Sequence, residues 1–127
     1  MAVADSSFLV ALFLKYDINH ENAKKIYSEI LKQGELIFIP YEILIETLTV
    51  LLYKEGIDFV KEVYDFLENS NFVFINKITN CINLFLKQEN KLSYFDFVPV
   101  ELALKLNTKL LTFDKKQEEL LRKLKRT

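Results

Sequence analysis

The chain offers chemistry through its carboxylates and through little else. It holds 18 Asp and Glu against 17 Lys and Arg, with a single histidine and a single cysteine. One cysteine, Cys81, excludes an internal disulfide and any zinc site built on paired thiolates. It lies between Asn80 and Ile82 in an apolar stretch that reads as helical, where a buried, inert thiol is expected. One histidine cannot build a multi-histidine metal centre. His20 opens a helix in Asn19-His20-Glu21-Asn22, a place that suits a solvated or capping side chain. Acid–base or metal chemistry therefore falls to Asp and Glu.

Four acids stand out by position: Asp5, Glu46, Asp96 and Asp114. Asp5 directly follows the short apolar run Ala2-Val3-Ala4, and Asp114 directly follows Leu110-Leu111-Thr112-Phe113. Asp96 opens the helix before that second run, and Glu46 lies two turns into another helix. Three of them have a structural use as well. Asp5 can cap the helix that begins at Ser6. Ser93 with Asp96, and Asp114 with Gln117, match the spacing of a capping box. Capping and ligation are compatible, because a carboxylate has several lone-pair sites. Glu46 has no such use. Its neighbours Ile43, Leu44, Ile45, Leu48, Val50, Leu51 and Leu52 are apolar, and its narrow polar stripe holds only Glu42, Thr49 and Tyr53. No Lys or Arg lies within a turn, and a carboxylate in such surroundings needs a cation or hydrogen bonds.

The elements that must position these acids alternate along the chain. Strands are predicted at 2–4, 36–39, 72–75 and 109–113, the middle two buried on both faces. Helices are predicted over 8–14, from Ala23 to near Gly34, over 41–54 (opened by Pro40), 57–68, 79–89, 94–106 and 115–125. Alternation of this kind implies an α/β fold, a short parallel sheet covered by helices on both sides. In such sheets function collects outside the carboxyl ends of the strands, and three of the four acids fall at strand ends or helix starts. With 127 residues, two glycines, two prolines and no linker or repeat, residues 1–127 are expected to form one domain with a real core. No apolar run reaches the roughly 18 residues of a membrane helix, and the N-terminus lacks the basic segment of a signal peptide. A cytoplasmic protein is expected. The net charge of −1 argues against nucleic-acid binding through a wholly basic surface. Phosphate contacts would come from a local patch, best represented by Lys115, Lys116, Arg122, Lys123, Lys125 and Arg126. Cations there also favour the helix dipole.

The pattern resembles the PIN-domain proteins, the family of the VapC toxins. Val3-Ala4-Asp5-Ser6-Ser7-Phe8-Leu9 through Phe13 is similar to that family's opening. Ile39-Pro40 followed by Leu44-Ile45-Glu46-Thr47-Leu48 resembles its second acidic motif. Leu92-Ser93-Tyr94-Phe95-Asp96, then Ala103-Leu104 and Leu110-Leu111-Thr112-Phe113-Asp114, resemble its third and fourth. The resemblance implies an α/β/α sandwich and a divalent-metal endoribonuclease, the toxin of a toxin–antitoxin pair. It places the acidic roles on Asp5, Glu46, Asp96 and Asp114, with a supporting hydroxyl from Ser7. Phe97 and Val98 stand where many relatives carry small residues, and are expected to narrow the crevice.

An all-oxygen donor set without histidine or cysteine suits Mg²⁺ or Mn²⁺ rather than zinc. Asp5 and Asp96 are expected as principal ligands, with Asp114 binding directly or through water. Glu46 would orient or deprotonate the attacking water, or hold a second ion. Single-stranded RNA is the favoured substrate, with structured RNA also open. Tyr94 and Phe95 are available for base stacking, although core packing is the stronger expectation for both rings. Three other readings remain: a PIN-like binding or assembly module, a PIN nuclease of RNA processing, and a phosphatase- or receiver-type protein. The last wants an acid after a middle strand, and Phe74-Ile75-Asn76-Lys77 has none. The apolar helix 43–52 predicts burial against a second copy, as a homodimer, or against an antitoxin-like peptide.

Overall fold

The structure, a computed structural model, describes residues 1–126. Strand β1 (Ala2–Ala4) leads into α1 (Ser6–Phe13) and α2 (His20–Lys32). Strand β2 (Ile37–Pro40) is followed by α3 (Tyr41–Glu55) and α4 (Ile57–Glu68), then β3 (Phe72–Ile75). Helices α5 (Ile82–Leu86) and α6 (Tyr94–Leu106) precede β4 (Lys109–Leu111), and α7 (Lys115–Lys125) follows it. The sheet order is β3-β2-β1-β4, with every pairing parallel. The chain builds outward from β1 to β3 and then crosses back to lay β4 on the other side of β1. The order thus reverses between β1 and β4, and the carboxyl ends flanking that reversal are where α/β sheets form their crevices.

The sheet's side chains alternate between two cores, as the period of two requires. Ala2, Ala4, Ile37, Ile39 and Phe72 join the larger core with Phe8 and Leu9 of α1. Val3 faces the other way, against Val100 and Ala103 of α6 and Leu121 of α7, with Phe38 and Leu110 beside them. Three small residues suffice for β1 because it lies mid-sheet, and all three are fully buried. Helix α1 buries Phe8, Leu9, Ala11 and Leu12, and each large side chain so buried contributes about 1.5–3 kcal/mol. Gly56 joins α3 to α4 at φ 86, a conformation that favours glycine, while its N–H bonds the Leu52 carbonyl.

The expected elements form in the expected order, with local differences. Strand β3 lies at the sheet edge, so Phe72 is buried while Val73, Phe74 and Ile75 are only partly covered. Pro40 ends β2 and stands before α3 rather than inside it. Helix α1 begins at Ser6, one residue after its Asp5 cap. The helix expected over 79–89 shrinks to Ile82–Leu86, because side chains capture the flanking backbone. Glu42 accepts from Thr79 N, Tyr94 Oη from Cys81 N and Asn80 Oδ1 from Ile82 N, while the Gln88 amide bonds both backbone groups of Leu92. Among the described residues no helix is long and apolar enough to cross a membrane.

Candidate active site

Asp5 occupies the junction of β1 and α1 and is only 5% exposed. Its Oδ2 accepts from Ser7 N at 3.1 Å, capping α1, and from Ser7 Oγ at 2.9 Å; its Oδ1 accepts from Gln117 Nε2 at 3.2 Å. Ser7 Oγ in turn accepts from Phe113 N at 3.0 Å, and Thr112 Oγ1 accepts from Asp114 N at 3.0 Å. Thr112 has one proton to give, and its shortest contact, 2.7 Å, is to Gln117 Oε1. These bonds explain why β4 stops at Leu111, although the apolar run continues to Phe113. The backbone N–H groups of Phe113 and Asp114 are taken by hydroxyls of the site instead of by a neighbouring strand.

Asp96 and Asp114 sit at the starts of α6 and α7. Asp96 Oδ2 accepts from Ser93 N at 3.0 Å, as the capping-box spacing predicts. Asp114 Oδ1 accepts from Lys116 N at 2.9 Å, so it caps α7. Gln117 does not return to the Asp114 backbone as a capping box would require. It points inward and is fully buried. The cap on each of these two acids occupies one carboxylate oxygen and leaves the other without a hydrogen bond from a described residue.

Glu46 projects from the middle of α3 and is half-buried. Burial lifts its carboxyl above the usual range; the charges of Asp5 and Asp96 push the same way, and a hydrogen bond with Ser6 opposes them. No salt bridge reaches any of the four acids among the described residues. All four line one open cavity of about 430 Å³, together with Ser6 and Ser7. The turn between α1 and α2, at Asp17, Ile18 and Asn19, forms part of its rim.

The donors facing this cavity are oxygens only, which fits Mg²⁺ or Mn²⁺ and disfavours zinc. Among the described residues no three acids converge into a ready-made cage. Magnesium asks for none, because it retains several waters and takes one or two carboxylates, with substrate phosphate completing its shell. Asp5, Asp96 and Asp114 are the residues able to hold it.

The remaining residues singled out by sequence lie elsewhere. Phe97 and Val98 are buried in the core and do not line the cavity, so they do not narrow it. Tyr94 Oη donates to the Thr79 carbonyl and its ring packs on Phe85, whereas Phe95 is exposed. His20 Nδ1 bonds the Ala11 carbonyl at 2.8 Å, tying α2 to α1. Cys81 is buried, and burial, followed by the charges of Glu101 and Glu42, pushes its thiol up to about 11, which keeps it protonated and inert. The basic residues of α7 are exposed. Sequence reasoning missed Thr112 and Gln117 as parts of the site. Gln117 did carry a signal: it is four residues from Leu121 and seven from Leu124, a polar side chain on the stripe that α7 buries.

A four-stranded parallel sheet with acids lining a cavity where its strand order reverses defines a class of α/β scaffolds rather than one protein. The PIN domain model matches residues 2–123, and the chain belongs to the PIN-domain family. Among solved structures, it is similar to the Mycobacterium tuberculosis toxin VapC20, described as cleaving the sarcin–ricin loop. The TM-score is 0.80 at 16% identity, over 94% of this chain and 95% of that one. That likeness establishes the α/β/α arrangement of the fold. No curated protein sequence matches the chain significantly.

Proposed function

We propose that the protein is a divalent-metal-dependent endoribonuclease that hydrolyses RNA phosphodiester bonds, acting as the toxin of a toxin–antitoxin pair. The observation that carries this reading is that Asp5, Glu46, Asp96 and Asp114 line one cavity, with no basic side chain among the described residues paired to any of them. Four carboxylates facing one space repel each other and the phosphates of RNA unless a cation intervenes. Asp5, Asp96 and Asp114 would hold that ion, and the chemistry it would supply is activation of water and neutralisation of phosphate charge.

The other residues act around it. Ser7 and Gln117 orient Asp5. Glu46, whose carboxyl burial lifts above the usual range, takes the proton of the attacking water. The opening of the cavity admits unpaired RNA, including the loop of a structured RNA. The similarity to a toxin that acts on such a loop supports this substrate class. Exposed Phe95 beside Asp96 is the ring available to a base, and Lys115 and Lys116 are the cations nearest in sequence to Asp114. The exposed Ile45, Leu52 and Tyr53 of α3 supply the apolar surface of a homodimer or an antitoxin contact. The setting is cytoplasmic, and the chain acts as one domain.

The test is cleavage of a labelled single-stranded RNA by the purified protein with Mg²⁺ or Mn²⁺. Cleavage is expected to stop on chelation and to be abolished in Asp96→Asn, whose circular dichroism stays that of the wild type. Full activity in Asp96→Asn or under chelator overturns the assignment. Tight RNA binding without cleavage replaces the enzyme with a binding module.

A further inference from the structure

Gln117 is fully buried in α7, a helix whose last turn is basic. A leucine would complete the apolar stripe there without desolvating an amide, and an unpaired buried amide costs a few kcal/mol. All of its polar capacity is instead used around the site, on Asp5, the Asp96 main chain and Thr112. One Nε2 hydrogen goes to Asp5 Oδ1 at 3.2 Å and the other to the Asp96 main-chain carbonyl at 3.0 Å. Its Oε1 accepts from Thr112 Oγ1 at 2.7 Å, and Thr112 Oγ1 accepts from Asp114 N. Reversing the amide would set its oxygen against a carboxylate and a carbonyl, both acceptors, so chemistry fixes its orientation.

One planar group thus touches the β1–α1 junction, the first turn of α6 and the β4–α7 junction. We propose that Gln117 is a positioning residue that sets Asp5, Asp96 and Asp114 at the mutual spacing a divalent ion needs. Being neutral, it orients Asp5 while leaving that carboxylate's charge for the cation. This role rests on the metal-dependent reading above, and it is of the kind performed by groups that hydrogen-bond metal ligands from behind.

The test compares wild type with Gln117→Leu and Gln117→Met, the second following the glutamine's unbranched path and volume. Mn²⁺ affinity is measured by calorimetry without RNA, kcat and KM on a labelled RNA, and folding by thermal melts. Both variants are expected to melt cooperatively, to bind Mn²⁺ about 10–100-fold more weakly and to lose kcat by a similar factor, with KM for RNA little changed. Wild-type Mn²⁺ affinity in either folded variant overturns the proposal alone, as does a rise in KM with kcat intact. Loss of the cooperative melt in both variants assigns Gln117 to the fold and overturns it too. A wild type that neither binds Mn²⁺ nor cleaves RNA instead overturns the nuclease reading beneath it.

Discussion

Asp5 and Glu46 face the same cavity from opposite surroundings. Asp5 is buried, yet a backbone N–H, a hydroxyl and an amide all donate to it. Glu46 is half-exposed but stands on an apolar helix, has Ser6 as its hydrogen-bonding partner and feels the charges of Asp5 and Asp96. Fixed donors hold the Asp5 side chain in one orientation, which is what a metal ligand requires. Glu46 has its carboxyl pushed above the usual range, the direction that favours a general base. Burial alone therefore does not predict how an acid behaves; the donors around it do.

The largest expected effect tests whether Asp5 is the ion-holding member. Removing a preorganised electrostatic group costs on the order of 10²–10³ in kcat, and Asp5→Asn is expected to lose at least that much cleavage. Activity near wild type in this variant would remove Asp5 from the site. Glu46→Gln is expected to lose roughly 10²-fold, the low end for general base catalysis. With metal saturating, wild-type kcat should fall as pH drops and protonates Glu46, and the Gln variant should lack that limb. An identical pH profile in both proteins would return the base role to solvent or to another acid.

Stability should separate the two acids in sign. In Asp5→Asn an NH₂ group replaces one acceptor oxygen and faces a donor, at a cost of about 1–3 kcal/mol, seen as a lower denaturation midpoint without metal. Glu46→Gln should do the reverse. A raised carboxyl pKa in the folded state means that the fold is favoured at low pH and penalised as pH rises through that value. The Gln variant escapes this penalty. Its metal-free melting temperature should exceed that of wild type by about 1–3 °C at pH 7–8, with the gap closing below the ordinary carboxylate range. A destabilised Glu46→Gln at neutral pH would dissolve the contrast.

Much of this was readable from the residues. The strand–helix alternation and the four acids could be placed because strand ends and caps leave strong local signatures. The edge position of β3 could not, since Phe72–Ile75 reads as a buried run whether its strand is central or flanking. The shortened α5 and β4 share another cause: Glu42, Tyr94 and Gln88 in one case, and Ser7 and Thr112 in the other, claim backbone groups that local pattern assigns to helix or sheet. Partners so distant in sequence leave no mark on a local window. Gln117 was mistaken for a local cap for the same reason.

That distance also bears on timing. The corner around Asp5 is closed by bonds between Ser7 and Phe113 and between Gln117 and Asp5, spanning 106 and 112 residues. Contacts of such separation close late, after the entropy of a long loop has been overcome. A growing chain has long since made Asp5 when Gln117 is added, and a chain cut short before Thr112 lacks both side chains, Thr112 and Gln117, that reach the Asp5 carboxylate from beyond β4. The four acids therefore share their cavity, with Asp5 held from both ends, only once α7 has been made.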